Sequence, residues 1–140
     1  DLPILFPDSY LPDVHTRLLL YKRIANARTT NDLYDLQLET LDRFGLLPEP
    51  AKSLFAVSDI KLAATNLGIK KIRLGHHGGI VKFSEHTKLD PMLLIDLIKT
   101  SDGIINMRDA YTLDITVSLP LPQDKIAYIK HFLNKFQSNP

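Results

Sequence analysis

Four charged residues in the stretch 29–48 have the types and spacing of an interaction surface. Asp35, Glu39, Asp42 and Arg43 fall together on one side of a helix when each residue turns it by about 100°. Glu39 precedes Arg43 by four residues, so these two side chains can pair along the helix, which leaves Asp42 and part of Glu39 available. Such a face is either a solvated surface or a docking surface for a partner of complementary charge, and these residues alone leave both interpretations open.

The same stretch carries start and stop signals for one amphipathic helix. Thr29 or Thr30 can cap the N terminus, because a hydroxyl accepts a hydrogen bond from a free backbone N–H. Gly45 and the following Pro48 are typical of a helix C terminus. The side predicted to be buried consists of Leu33, Leu36, Gln37, Thr40 and Phe44, with Leu41 at its edge.

Residue patterns for catalysis or metal binding are weak. His76 and His77 are adjacent within a glycine-rich turn, and adjacent side chains diverge, whereas a metal site needs convergent ligands. The absence of cysteine excludes disulfides, thiolate metal sites and cysteine nucleophiles. Neither a serine nucleophile elbow nor a phosphate-binding loop occurs. These residues predict a binding or regulatory module rather than an enzyme.

A basic cluster offers an alternative function, that of an accessory DNA-binding module. It consists of Lys70, Lys71, Arg73 and Lys82, to which the first helix would add a basic side. Exposed strands are often rich in lysine because lysine discourages edge pairing, and no aromatic residue is interleaved for base stacking. The net charge of +1, from 17 basic and 16 acidic residues, is also not that of a dedicated nucleic-acid-binding protein.

The periodicity predicts an α+β fold, because helical and alternating segments are segregated along the chain. We expect three N-terminal helices followed by a small antiparallel sheet of two hairpins with two further helices. Residues 1–12 are expected to form an extended arm on the domain surface, and residues 13–140 a single domain. The predicted helices are 14–28, 29–44, 49–67, 91–99 and 122–136, and the hairpins are 69–83 and 104–117. The second hairpin is expected to turn at residues 108–110.

The phrases LPDVHTRLLLYKRIANA and DLQLETLDRFGLLPEPAKSLF, followed by LGIKKI, closely resemble the C-terminal domain of the bacterial transcription-repair-coupling factors. The similarity covers nearly the whole chain and is strongest from Leu11 to Ile72. Members of this family are large ATP-driven DNA translocases that recognise stalled RNA polymerase and recruit the excision-repair protein UvrA. The resemblance implies a cytoplasmic parent protein that contacts DNA through its motor and does not enter a membrane.

The resemblance also implies what this domain does. It would be a non-catalytic regulatory domain without a cofactor or metal of its own, since ATP and Mg bind elsewhere in the parent protein. It would dock onto the N-terminal UvrA-binding module of the same chain, mask the recruitment surface and restrain translocation. The family makes this contact through charged residues on the helix that ends in DRFG, and the matching positions here are Glu39, Asp42 and Arg43.

Overall fold

Five helices and one four-stranded sheet occur in residues 4–136, the part of the chain that the computed structural model describes. The α+β prediction is confirmed. The helices are α1 (Val14–Asn26), α2 (Thr30–Phe44), α3 (Glu49–Asn66), α4 (Pro91–Thr100) and α5 (Pro122–Asn134). The strands are β1 (Ile69–Gly75), β2 (Gly78–Phe83), β3 (Ile105–Asp109) and β4 (Thr112–Thr116). The chain forms two compact units, which divide between Leu62 and Ala63 within α3.

The first unit is built by α1, α2 and most of α3 around one apolar core. Asp13 caps α1 by accepting a hydrogen bond from the backbone N–H of Thr16. Thr29 and Asp32 form the reciprocal capping box of α2, in which each side chain accepts from the other residue's backbone N–H. Gly45 ends α2 with a φ of 95°, a conformation that other residues rarely adopt. The core consists of Phe6, Leu11, Leu20, Ile24, Leu33, Leu36, Leu47, Ala51 and Phe55.

The N-terminal segment belongs to this core. Phe6 is only 1% exposed, and its ring lies 5.3 Å from the ring of Tyr21 and 6.0 Å from that of Phe55. The backbone N–H of Phe6 donates to the Tyr21 hydroxyl at 2.9 Å. The prediction that residues 1–12 lie on the domain surface is wrong for Phe6 and Leu11, which are buried, and residues 1–3 lie outside the described residues. Burying a phenylalanine side chain stabilises by about 1.5–3 kcal/mol. Prolines already restrict the backbone of this segment, which lowers the entropy lost when it is held in place.

The second unit places α5 against one face of an antiparallel sheet with the strand order β1-β2-β4-β3. The two predicted hairpins are therefore neighbours in one sheet, joined by the pairing of β2 with β4. The ring of Phe83 on β2 lies 6.5 Å from that of Phe136, which follows α5. The other buried apolar residues of these elements are Ile69, Val81, Ile105, Leu113, Ile115, Ile129, Phe132 and Leu133.

Both hairpin turns are tighter than the sequence predicts. The first turn is His76-His77 alone, because Gly78 and Gly79 are already part of β2. A Cβ at Gly78 would lie 1.9 Å from the carbonyl oxygen of Ile115 on the adjacent strand, so close strand approach requires glycine there. The second turn is at residues 110–111 instead of 108–110, since β3 continues to Asp109. None of the helices described between residues 4 and 136 has the length and apolarity needed to cross a bilayer.

Candidate functional site

Helix α2 fixes which of its side chains face outward. Leu33, Leu36 and Thr40 are buried, and the Thr40 hydroxyl satisfies its hydrogen-bonding need by donating to the Leu36 carbonyl at 2.7 Å. The predicted apolar side is therefore the side that packs into the first unit. Asp35, Asp42 and Arg43 are exposed and Glu39 is half-buried, as the helical spacing predicts for the opposite side.

Glu39 is held by two arginines of the first unit. Arg23 on α1 donates from Nη1 to Oε2 at 2.5 Å and from Nη2 to Oε1 at 2.8 Å, a bidentate contact. Arg43 Nη1 lies 3.3 Å from Oε2, which is the predicted pairing along the helix. The hydrogen bonds from Arg23, followed by its charge, lower the pKa of the Glu39 carboxyl from 4.5 to about 2. Sequence reasoning missed Arg23, since no local pattern shows which residue of α1 faces α2.

Replacing Arg23 with glutamine is expected to raise the pKa of Glu39 part of the way back toward 4.5, because Arg43 stays in place. A carboxyl with a lowered native pKa contributes stability above its unfolded pKa and loses that contribution as the pH falls through the native value. The Arg23 and Glu39 side chains are 47% and 38% exposed, so water screens the pair and its contribution is at most about 1 kcal/mol, lost between roughly pH 5 and pH 2. A ¹³C NMR titration of the Glu39 side-chain carboxyl carbon measures the change.

The matched control for this titration is Lys22→Gln, which removes an exposed cation of the same helix that forms no ion pair in the described residues. We expect Lys22→Gln to leave the Glu39 pKa unchanged. An equal rise in both variants would show that the net charge of α1, and not the Arg23 contact, sets the pKa.

Asp42 and Arg43 are differently placed from Glu39. Asp42 is exposed and forms no ion pair or hydrogen bond through its side chain within residues 4–136. The Arg43 guanidinium carbon lies 4.8 Å from the centre of the Phe44 ring, so a cation–π contact and Glu39 both restrict its motion. The three predicted site residues therefore share one helix face, but Asp42 is the member whose carboxylate has no internal partner.

An apolar border runs beside this charged face. Tyr34, Leu38 and Leu41 follow one another at helical spacing, and these residues are 59%, 44% and 38% exposed. Leu46 beyond the end of α2 is 87% exposed. These four residues line an open cavity of about 360 Å³ with Gln37, Leu47 and Lys52. Exposed apolar residues at consecutive turns are typical of contact surfaces. The sequence analysis did not identify this border, and it placed Leu41 at the edge of the buried side, where the structure shows it exposed.

Some of the basic residues proposed for the alternative function, DNA binding, already make contacts within this chain. On α1, Arg17 donates to the carbonyl oxygens of Leu11 and Pro12, and Arg23 holds Glu39, so two cations of this helix are engaged within the first unit. His76 and His77 form the turn of the first hairpin, and their carbonyl oxygens accept from Leu119 and Val117. Between residues 4 and 136 no group of three or more metal-ligating side chains occurs.

Comparison with known proteins decides the family. The family model of the TRCF domain matches residues 1–94, which is more than half of the chain. The chain belongs to the TRCF domain family. The transcription-repair-coupling factor of Escherichia coli strain K12 is 35% identical over 138 residues, which cover 99% of this chain and 12% of that protein. The predicted membership of the transcription-repair-coupling family is therefore confirmed.

Further comparisons agree with this membership. The transcription-repair-coupling factor of Haemophilus influenzae is 41% identical over 98 residues, 70% of this chain and 9% of that protein. This TRCF chain thus spans only about a tenth of the length of the curated relatives it matches. A crystal structure of the C-terminal domain of a transcription-repair coupling factor superposes with a TM-score of 0.80 at 17% identity, covering 97% of this chain and 88% of that one. That similarity supports the fold.

Proposed function

We propose that this chain is a non-catalytic regulatory domain of an ATP-dependent DNA translocase that couples transcription to repair. In the resting parent protein, α2 docks onto the UvrA-binding module of the same polypeptide, hides the recruitment surface and restrains translocation. Stalled RNA polymerase and UvrA would act on this domain indirectly, in the cytoplasm, and ATP and Mg would bind elsewhere in the parent. The observation that carries the proposal is the exposed Asp42 carboxylate, which has no partner in the described residues of a chain of this family.

The charged face has a defined role for each residue. Asp42 accepts charge-assisted hydrogen bonds from an arginine of the UvrA-binding module, since a carboxylate matches the two parallel donors of a guanidinium. Arg43 reaches a carboxylate on that module. Arg23 holds Glu39 in one orientation, so docking does not have to restrict that side chain again. Glu39 then supports Asp42 through its negative charge more than by direct hydrogen bonds.

The apolar border of Tyr34, Leu38, Leu41 and Leu46 completes the docking surface. Ion pairs contribute most to binding where neighbouring apolar contacts exclude water from them. The border lies along the turns of α2 that carry Asp42, so a docked partner would cover both together. Truncating one member of such a desolvated pair costs about 2–5 kcal/mol. If the docked state is favoured by only a few kcal/mol, a loss of this size leaves the domain mainly undocked.

Hydroxyl-radical footprinting of the intact parent protein tests the docking without any substitution. We expect the oxidation rates of Tyr34 and Leu46 to fall at least about fivefold in the resting parent relative to this chain alone, because docking removes both from water. Met92 on α4 is as exposed as Tyr34 and serves as the reference residue. Equal oxidation of Tyr34 and Leu46 in both proteins would contradict docking through α2.

A further inference from the structure

The sheet of the second unit has an exposed face that is basic. Residues paired directly across antiparallel strands project from the same side of the sheet. Lys82 on β2 pairs with Lys71 on β1, and Ile80 pairs with Arg73. The opposite face carries the buried residues Val81, Leu113 and Ile115. Lys71, Arg73 and Lys82 therefore form one exposed surface, the basic sheet face, on the side away from the core.

The cations of this face form no ion pairs in the described part of the chain. Lys71, Arg73 and Lys82 are exposed and form no ion pair within residues 4–136, and the same holds for Lys70, the extra residue at the bulge of β1. On the same side, Asp114 is neutralised by Arg108, whose Nη2 lies 2.6 Å from Oδ1.

Two further carboxylates lie near the basic sheet face. Asp109 accepts hydrogen bonds from Tyr111 and Thr112 and interacts weakly with Lys82, and Glu85 lines the cleft beside Lys70. Four unpaired cations thus exceed the two carboxylates around them, and the basic sheet face keeps a net positive charge.

Protection of a sheet edge does not explain this arrangement. Lysines on β1 could serve that purpose, because β1 is at the edge of the sheet. Lys82 is different, because β2 pairs with a strand on each side and Lys82 therefore cannot prevent pairing at an open edge. It also stands directly opposite Lys71, and like charges in that position destabilise a sheet. A bound anion would remove this repulsion.

We propose that the basic sheet face binds the phosphate backbone of duplex DNA. Protein–protein interfaces are depleted in lysine and have an apolar centre, whereas here Ile80 is the apolar residue among the cations. Single-stranded nucleic acid is bound on successive aromatic side chains, and this face offers one nearby ring, Tyr111 at the β3–β4 turn. A flat basic surface without a helix to enter a groove contacts phosphates and does not read base sequence.

The size of the face sets the expected salt dependence. Neighbouring strands are about 4.8 Å apart and alternate residues of one strand about 6.7 Å apart, so the four cations can reach three or four phosphates. Each neutralised phosphate contributes about −0.9 to the slope of log K against log salt concentration. The slope is therefore about −3, and raising the salt from about 50 to 200 mM weakens binding roughly 40-fold or more.

Fluorescence anisotropy of a labelled 20-base-pair duplex, titrated with the full 140-residue chain, tests the proposal. Replacing Lys71 and Lys82 with glutamine is expected to reduce the salt slope by about 2 and to weaken binding at low salt at least about tenfold. Glutamine keeps the stem of each side chain, and circular dichroism verifies that the fold is kept. The matched control, Lys22→Gln with Lys130→Gln, removes the same charge from exposed positions on α1 and α5.

The outcomes separate the alternatives. The proposal is supported if the variant with Lys71→Gln and Lys82→Gln loses DNA binding while the control variant keeps it. An equal loss in both variants would show that net charge alone governs binding and would overturn the proposal. If the unmodified chain does not bind the duplex at low salt, the proposal is also wrong. Tighter binding of a single strand of the same length would mean that Tyr111 and the cleft beside it, not the duplex backbone contact, define the site. The proposal is independent of docking through α2, so either can fail without the other.

Discussion

Replacing Asp42 with arginine is expected to weaken the binding of this chain to the UvrA-binding module at least about 30-fold, equivalent to about 2 kcal/mol. The substitution removes the carboxylate without an internal partner and places a cation opposite an arginine of the module, which adds repulsion. The residue is exposed and makes no side-chain contact that the fold needs, so the stability of the chain should stay within about 0.5 kcal/mol of the original. Isothermal titration calorimetry with the two separately purified parts measures the change.

The comparison with Glu39→Ala is the sharper part of this prediction. Arg23 already donates to both carboxylate oxygens of Glu39. We therefore expect Glu39→Ala to weaken binding to the UvrA-binding module less than about tenfold. Asp96→Ala on α4 removes an exposed helical carboxylate that belongs to the second unit, and we expect it to leave the binding affinity unchanged. A larger loss for Glu39→Ala than for Asp42→Arg would contradict the assignment of roles within the charged face.

Replacing Phe6 with alanine is expected to destabilise the first unit by about 3–5 kcal/mol, the range measured for buried aromatic residues. The ring is almost fully buried against Tyr21 and Phe55, so its removal leaves a cavity that the α-helices cannot easily fill. Urea denaturation followed by circular dichroism measures the loss, and amide hydrogen exchange of α1 and α2 locates it in the first unit.

The control for this prediction is the neighbouring Leu5→Ala. Leu5 is exposed, and its backbone N–H donates to the Pro50 carbonyl, a contact that alanine keeps. We expect a change of less than about 1 kcal/mol. Equal destabilisation by both variants would contradict a specific contribution of the buried Phe6 ring to the stability of the first unit.

Periodic patterns and local caps made most of the fold predictable. Helix α2 has its apolar spacing, its Thr29 cap and its Gly45 end within one stretch, so the sequence alone defines its bounds and its buried side. The order of helices and hairpins follows from the same signals. Tertiary contacts decide the remaining features. The burial of Phe6 depends on Tyr21 and Phe55, which no local pattern connects with it.

The sequence predicts which residues form the charged face of α2, but it does not predict the contacts that these charged residues make with other elements. Helical spacing is enough to group Glu39, Asp42 and Arg43, and it predicts the Glu39–Arg43 pair. The contact of Glu39 with Arg23 joins residues 16 positions apart and depends on how α1 faces α2. Likewise, the pairing of Lys82 with Lys71 became visible only through the strand register, which a bulge at Lys70 shifts by one residue.

The affinity of UvrA for the intact parent protein tests the central claim most directly. Replacing both Glu39 and Asp42 with alanine should release the docked α2 and expose the recruitment surface, so we expect UvrA to bind at least about tenfold more tightly. Asp96→Ala in the same protein should leave the affinity unchanged. If the double variant binds UvrA no more tightly than the unmodified protein, the charged face of α2 does not hold the recruitment surface closed.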